Sequence, residues 1–193
     1  ETWWNHFDTD SSAGVFVPLC GKSLDMLWLL EQGHTVTGVE LNEPAVSGFF
    51  SQHGISFVKE AQPPFTSYRG DGLDIHVGDF FKLPASFIAG NRLVFDRAAL
   101  IALPPAMRID YADKLREILA PGCKIFLITV VYDQNAMNGP PFSVQDDEVY
   151  KLFDNGFEIK KVNASDDPSL LGGLAKRGLK ELAENVFFLT RTD

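Results

Sequence analysis

Apolar residues recur along this chain with two periods, one typical of strands and one of helices. The first clear segment, Val15 to Cys20, is an unbroken apolar run that lies between Gly14 and Gly21. It is too short for a helix, and a run without polar alternation is typical of a strand buried on both faces. The pattern therefore predicts a buried strand that ends in a glycine-containing turn.

The period changes after that turn. Leu24, Leu27 and Trp28 fall on one face of a predicted helix, Ser23 is placed to cap its N-terminus, and Gly33 ends it. Strand, turn and helix together form the opening unit of a nucleotide-binding α/β domain, in which the turn amides and the helix N-terminus face the ligand.

The same alternation of strands and helices continues to the C-terminus. Further strands are predicted at residues 34–41, 55–58, 73–77, 93–96, 124–131, 157–162 and 185–190, with helices between most of them. Such alternation predicts a single doubly wound α/β domain, in which a mostly parallel sheet has helices on both faces.

Three segments add local detail. Residues 65–68 and 73–77 flank an Arg-Gly-Asp-Gly sequence, which predicts an inserted hairpin. Trp3, Trp4 and Phe7 predict a short helix packed on the sheet, followed by a loop from Asp8 to Gly14. A helix from about Ala106 to Leu119 is expected to bury Ile109, Ala112, Leu115, Ile118 and Leu119.

Composition narrows the possible partners. The 193 residues suit one domain, and a net charge of −9 argues against a nucleic-acid partner or an anionic membrane surface. The sequence contains neither an apolar run long enough to span a membrane nor a signal-peptide pattern. Cys20 and Cys123 both fall in predicted strands, which fits a reduced, cytoplasmic protein. We expect a monomer that acts on a small molecule.

Glu40 carries the first chemical signal. It ends the second predicted strand, about 20 residues after Gly21, where a carboxylate can accept hydrogen bonds from both hydroxyls of a ribose. A solvated carboxylate at a strand end is the alternative. A P-loop is excluded, because Phe16 stands where that motif needs glycine, and the full dinucleotide glycine fingerprint is also missing.

Asp79, Phe80 and Arg97 follow other predicted strands at the same edge of the sheet. An acid beside a flat apolar ring suits an adenine, whereas the alternative is a surface Asp beside a core Phe. Arg97, which directly follows Asp96, could hold a carboxylate or an anionic acceptor, or form only a surface ion pair. The four histidines lack the spacing of a zinc site, and Cys20 is expected to be a packing residue.

Several motifs, taken in order, resemble the thiopurine S-methyltransferase family. They are Val17-Pro-Leu-Cys-Gly-Lys-Ser23, Gly38-Val-Glu40, Phe95-Asp-Arg-Ala-Ala-Leu100 and Gly139-Pro-Pro-Phe142. The resemblance implies a Rossmann-like class I methyltransferase fold whose last strand runs antiparallel, and it implies the cofactor S-adenosyl-L-methionine with S-adenosyl-L-homocysteine as product. It also implies that Leu19 contacts the cofactor through its backbone, along with Gly21, Glu40, Asp79, Phe80 and Arg97.

The family also has an earlier segment that folds over the cofactor, and this lid is expected to be missing from residues 1–193. The resemblance favours transfer of a methyl group to an aromatic or heterocyclic thiol, or to a metalloid oxyanion. A halide- or thiocyanate-type methyltransferase, a non-catalytic adenosylmethionine-binding protein and an NAD-dependent oxidoreductase remain alternatives. Acceptor contacts are expected from Pro140, Pro141 and Phe142, and from Lys176 or Arg177.

Overall fold

A computed structural model describes residues 3–7 and 12–192 of the chain, which form a single mixed sheet with helices on both faces. The strands are β1 (Gly14–Val17), β2 (Val36–Glu40), β3 (Phe57–Gln62), β4 (Phe65–Gly70), β5 (Leu73–Val77), β6 (Asn91–Asp96), β7 (Lys124–Val131), β8 (Phe157–Ser165) and β9 (Ala183–Arg191). The helices are α1 (Asp25–Glu31), α2 (Glu43–Gln52), α3 (Ala99–Ala102), α4 (Pro105–Ile118) and α5 (Asp146–Phe153). Short 3₁₀ helices cover Trp4–His6, Phe80–Lys82, Ala85–Phe87, Gln134–Ala136 and Pro168–Arg177.

The sheet has the strand order β3-β4-β5-β2-β1-β6-β7-β9-β8. Its five central strands, β5, β2, β1, β6 and β7, are parallel to one another. β9 pairs antiparallel with both β7 and β8, so the expected antiparallel last strand is confirmed. The carboxyl ends of β1, β2, β5, β6 and β7 therefore meet at one edge, where ligands bind in open α/β sheets.

The predicted hairpin is confirmed, because β4 pairs antiparallel with β5. The strand predicted at residues 55–58 instead begins at Phe57 and runs to Gln62, where it pairs with β4. The Pro63-Pro64 pair forms the turn between β3 and β4, since proline suits a turn and cannot donate to the ladder. The insertion extends the sheet at the edge away from β9.

Both faces of the central part of the sheet are buried, as the unbroken apolar strands predict, whereas the edge strand β3 is exposed. Alternate residues of β1 point to opposite faces. Phe16 joins the apolar cluster that includes α4 and α5, whereas Val15 and Val17 join the cluster that includes α1 and α2. Trp4 and Phe7 belong to the second cluster, so the predicted packing of the N-terminal segment is confirmed. The loop predicted from Asp8 to Gly14 lies mostly outside the described residues.

The buried face of α1 differs from the predicted one. Leu24 is 63% exposed, because it precedes the first helical residue and serves as the N-cap, whereas Met26 and Leu29 are fully buried. The prediction that Ser23 caps this helix is wrong: Ser23 precedes the N-cap, and its hydroxyl accepts a hydrogen bond from the amide of Asp25 at 3.2 Å. The helix starts one residue later than the pattern indicated, and its fully buried positions are Met26 and Leu29 rather than Leu27 and Trp28.

The buried face of α4 contains a charged residue that the pattern did not reveal. Ile109 was expected inside and is 61% exposed, whereas the Arg108 side chain is buried. Arg108 is stabilised there by paired hydrogen bonds from its Nη1 to both carboxylate oxygens of Glu148, at 2.7 and 2.8 Å. A buried guanidinium needs such partners, and they lie in a distant part of the sequence.

Among the described residues, no helix is both long and apolar enough to cross a membrane.

Candidate functional site

The turn after β1 has an unusual backbone. Leu19 has a φ of 45° and Gly21 a φ of 52°, and Leu19 is the only non-glycine residue with positive φ in the described part of the chain. The amide of Cys20, between them, donates to the carbonyl of Val39 at 3.0 Å, which ties the turn to β2. A Cβ placed on Gly21 would meet no atom within 4 Å, so the space above this turn is open to a ligand.

Glu40 lies beside this turn and its carboxylate is held at both oxygens. Oε2 accepts from the amide of Gly21 at 2.9 Å, and Oε1 accepts from the amide of Asn42 at 2.8 Å. An ionised carboxylate has about four acceptor positions, so each oxygen keeps a further lone pair. The spacing in sequence therefore corresponds to a direct contact, and Glu40 is fixed with acceptor capacity to spare for a ligand diol.

Arg97 follows β6 and extends towards α1. Its Nη1 donates to Oδ1 of Asp25 at 2.8 Å, and the hydroxyl of Ser23 donates to Oδ2 of the same carboxylate at 2.9 Å. Arg97 therefore does form a surface ion pair, and its partner is Asp25, because Asp96 is buried and bonded elsewhere. Asp25 thus joins the site although its sequence position indicated only the first turn of a helix.

Asp79 and Phe80 begin the loop after β5. Oδ1 of Asp79 accepts from the amide of Phe81 at 3.0 Å, which caps a 3₁₀ turn. Phe80 is 2% exposed, and its ring packs against Tyr111 at a centroid distance of 5.0 Å. The Phe80 ring is therefore part of the core behind the site, and almost none of its surface is exposed to solvent.

Leu41 supplies an exposed apolar surface that the sequence reasoning missed. It is 71% exposed and directly follows Glu40. The amide of Gly78 donates to the carbonyl of Glu40 at 2.9 Å, so the Asp79 loop begins beside the end of β2. The only signal in the sequence was an apolar residue placed immediately after a strand-end acid.

The predicted acceptor residues also come together. Arg177 donates from Nη1 to the carbonyl of Pro140 at 2.6 Å and from Nη2 to the carbonyl of Gly139 at 3.3 Å. The amide of Phe142 donates to the carbonyl of Ile101 at 2.6 Å, which ties the loop to α3. Arg177 and the Gly139–Phe142 loop thus form one unit.

The hydroxyl of Tyr132 anchors the same loop, because it donates to the carbonyl of Pro141 at 2.6 Å. Lys176 is exposed next to Arg177.

An open cleft of about 990 Å³ lies between the ends of β7 and β9 and the Pro168–Arg177 segment. Its apolar lining includes Tyr132, Leu171, Leu179 and Leu182. The charged residues that line it are Asp133, Asp166, Lys180 and Glu181, so acidic side chains outnumber basic ones. The cleft adjoins β7, the neighbour of the strand that carries Arg97.

Cys20 lies under the turn but is not equipped as a nucleophile. Burial, together with the nearby charge of Glu40, raises the pKa of its thiol far above the ordinary value. Its Sγ fills the space over Gly38, where an added Cβ would approach it to 2.8 Å. The thiol therefore stays protonated, and the predicted packing role is confirmed.

Comparisons with known proteins show what this chain is similar to. A family model described as thiopurine S-methyltransferase (TPMT) matches residues 1–192. A thiopurine S-methyltransferase of Pseudomonas fluorescens (strain SBW25) is 44% identical over 186 residues, which are 96% of this chain and 85% of that protein. One from Marinobacter nauticus is 43% identical over 189 residues, which are 97% of this chain and 86% of that protein.

Solved structures share the fold at low sequence identity. A SAM-dependent methyltransferase from Methanosarcina mazei superposes with a TM-score of 0.72 at 15% identity, over 98% of each chain. A 1,6-didemethyltoxoflavin-N1-methyltransferase from Burkholderia thailandensis, solved with S-adenosylhomocysteine, has a TM-score of 0.58 at 19% identity. That match covers 94% of this chain and 72% of the other. The predicted class I methyltransferase fold is therefore confirmed.

Proposed function

Because this chain belongs to the thiopurine S-methyltransferase family, whose members are S-adenosylmethionine-dependent methyltransferases, we propose that it methylates the sulfur of an aromatic or heterocyclic thiol. The observation that carries the proposal is the arrangement of Glu40, the Leu19–Gly21 turn and Arg97 at one edge of the sheet. These groups match the chemistry of a nucleoside that also bears an amino-acid carboxylate.

Each part of S-adenosylmethionine has a matching group along the carboxyl edge of the sheet. Glu40 accepts from the ribose hydroxyls with its free lone pairs, and Leu19 and Gly21 contact the amino-acid portion through their backbone. Arg97 binds the carboxylate, since a guanidinium pairs well with such an anion. Asp79 accepts from the adenine amino group beside the exposed side chain of Leu41, and Phe80 supports this loop from behind.

When bound, S-adenosylmethionine supplies a methyl group made electrophilic by a sulfonium. The protein then has to align an acceptor sulfur and exclude water. The apolar wall of the cleft receives the aromatic ring of the acceptor. Arg177 and Tyr132 hold the Gly139–Phe142 loop in place through its carbonyls. Pro140, Pro141 and Phe142 then close one side of the acceptor site.

The cleft also favours one acceptor class over others. Its acidic residues, Asp133, Asp166 and Glu181, make it unfavourable for an oxyanion, and a cleft of about 990 Å³ is far larger than a halide needs. A heterocyclic thiol suits both the acidic lining and the size of the cleft, because its ring is neutral and only its sulfur loses a proton. We therefore rank the thiol above a metalloid oxyanion, and both above a halide.

We take residues 1–193 as a single methyltransferase domain that acts as a cytoplasmic monomer. Cys20 and Cys123 are both free and buried, which is consistent with a reducing compartment.

The test is to incubate the protein with labelled S-adenosylmethionine and, separately, thiophenol, a mercaptopyrimidine, selenite and iodide. Methyl transfer to the two thiols, with at least tenfold lower transfer to selenite and iodide, is the expected result. Absence of transfer to every acceptor, despite binding of S-adenosylhomocysteine, would favour the non-catalytic alternative. Binding of NADH in place of S-adenosylhomocysteine would overturn the proposed cofactor site.

Glu40→Gln tests the cofactor site directly. This change keeps the shape of the side chain and removes the charge-assisted bonds to the ribose, which are worth about 1.5–3 kcal/mol. The affinity for S-adenosylhomocysteine should fall about ten- to hundredfold in a folded variant. Glu60→Gln is the matched control, because it breaks an exposed pair with Arg69 away from the site. Unchanged affinity in Glu40→Gln would remove Glu40 from the site.

A further inference from the structure

The residue before Arg97 is a buried acid with an unusual set of partners. Asp96 is 1% exposed, and its Oδ1 accepts from the amides of Ala99 and Leu100 at 3.0 and 3.2 Å. Its Oδ2 accepts from the hydroxyl of Tyr111 at 2.7 Å. The carboxylate thus fixes both the backbone just after Arg97 and a residue of α4.

Tyr111 connects this carboxylate to the other end of the site. It is fully buried, its hydroxyl donates to Asp96, and its ring packs against Phe80. Phe80 opens the loop after β5, next to Asp79. One side chain therefore contacts the backbone support of Arg97 through its hydroxyl and the Asp79 loop through its ring.

We propose that Asp96 and Tyr111 are positioning residues for methyl transfer, and that the Tyr111 hydroxyl acts through Asp96 to hold Arg97 where it binds the cofactor carboxylate. This inference rests on the proposed function, in which Arg97 has that role. The Arg97 side chain is half exposed and pairs with Asp25. One exposed ion pair holds a long side chain weakly, so the position of its guanidinium depends on how firmly the backbone of Arg97 is held.

The protonation states are consistent with this arrangement. Burial raises the pKa of Asp96 to about 6, against the lowering effect of its three hydrogen bonds, so the carboxylate is mostly ionised at neutral pH. Burial, together with the charge of Asp96, raises the pKa of Tyr111 well above its ordinary value, so the hydroxyl keeps its proton and donates. An ionised acceptor with a neutral donor makes a strong hydrogen bond.

The experiment removes only the hydroxyl, by Tyr111→Phe, and compares two ligands by calorimetry. S-adenosylhomocysteine carries the amino-acid carboxylate, whereas 5′-methylthioadenosine has the same nucleoside without it. We expect the affinity for S-adenosylhomocysteine to fall about tenfold, and that for 5′-methylthioadenosine less than twofold, because the Tyr111 ring still supports Phe80. Tyr68→Phe is the matched control, since it deletes a buried tyrosine hydroxyl that donates to Glu43 at 2.8 Å.

A second step asks whether the effect passes through Arg97. In the Arg97→Met background, adding Tyr111→Phe should change the affinity for S-adenosylhomocysteine by less than twofold, because the group being positioned is already gone. Asp96→Asn provides a second variant of similar shape and should show the same selectivity between the two ligands. Its melting temperature, like that of Tyr111→Phe, reports any general loss of folding.

The outcomes separate this inference from the proposed function. If Arg97→Met weakens S-adenosylhomocysteine binding but Tyr111→Phe does not, the positioning role is overturned and the cofactor site stands. If Tyr111→Phe weakens both ligands equally, or adds its full effect to Arg97→Met, the role through Arg97 is also overturned. If the unmodified protein binds neither ligand, the proposed function itself fails.

Discussion

Arg97 and Asp25 are 72 residues apart in the sequence, yet Nη1 of Arg97 lies 2.8 Å from Oδ1 of Asp25. The contact joins the tip of β6 to the first turn of α1, and the Ser23 hydroxyl holds the other oxygen of the carboxylate. The guanidinium is thereby oriented at the carboxyl edge of the sheet, where the Leu19–Gly21 turn also lies, while most of its N–H donors stay available to a ligand. Asp25 is thus the side chain that aims Arg97, in addition to the backbone support from Asp96.

Asp25→Asn should weaken binding of a ligand that carries a carboxylate. The amide keeps the shape but loses the charge that orients Arg97, so we expect about a three- to tenfold lower affinity for S-adenosylhomocysteine. Affinity for 5′-methylthioadenosine should stay within twofold. The control is Asp147→Asn, which breaks an exposed pair with Lys151 of the same length, 2.8 Å. Equal effects of the two substitutions, measured by calorimetry, would contradict the orienting role.

Gly21→Ala should reduce binding as well as stability. With φ at 52°, any side chain at this position is strained by about 1–2 kcal/mol, and the added Cβ enters the open space above the turn. Gly54→Ala is closely matched, because Gly54 has a φ of 65° and also has no atom within 4 Å of an added Cβ.

Both glycine variants should lose similar stability to urea, and only Gly21→Ala should lose more than tenfold in affinity for S-adenosylhomocysteine. If both variants bind S-adenosylhomocysteine equally well, the Leu19–Gly21 turn does not contact the cofactor.

Much of the fold was predictable because its signals are local. The run before Gly21, the glycine turn and the position of Glu40 are each read from residues near in sequence, and the structure places Gly21 and Glu40 in direct contact. The family match confirms the methyltransferase class and its cofactor, S-adenosylmethionine. The individual cofactor and acceptor contacts remain predictions.

The errors share a physical cause, which is that burial depends on distant partners. Arg108 is inside because Glu148 meets it, although helical spacing had favoured Ile109. Phe80 is in the core because Tyr111 packs against it, a contact that its place after a strand does not reveal. Asp25 looked like an ordinary first-turn acid, and only the folded sheet brings Arg97 to it.

Asp96 and His76 are buried groups whose pKa values move in opposite directions. Burial raises the pKa of Asp96 from 3.8 to about 6, so the folded state binds more protons than the unfolded state between these values. Stability from this group therefore falls as pH rises through that window. Burial, with the charge of Arg69, lowers the pKa of His76 from 6.5 to about 4, so stability from His76 rises over nearly the same range.

We expect the two contributions, each on the order of 2–3 kcal/mol, largely to cancel in the unmodified protein. Relative to it, His76→Gln should lose stability as pH rises from about 4 to 6.5, and Asp96→Asn should gain stability as pH rises from about 4 to 6. Urea unfolding at half-unit pH steps measures both differences. Differences that stay constant with pH would show that neither group titrates as described.

Arg177 offers a test of the acceptor side alone. Arg177→Met keeps an unbranched apolar stem but removes the two donors that hold the carbonyls of Gly139 and Pro140. The loop should then be less ordered, and the KM for a heterocyclic thiol should rise about three- to tenfold with the affinity for S-adenosylhomocysteine unchanged. Lys176→Met is the comparison, because it removes a neighbouring exposed charge. A larger effect from Lys176→Met would transfer the acceptor role to Lys176, and a loss of cofactor affinity in Arg177→Met would show that this loop serves the cofactor site as well.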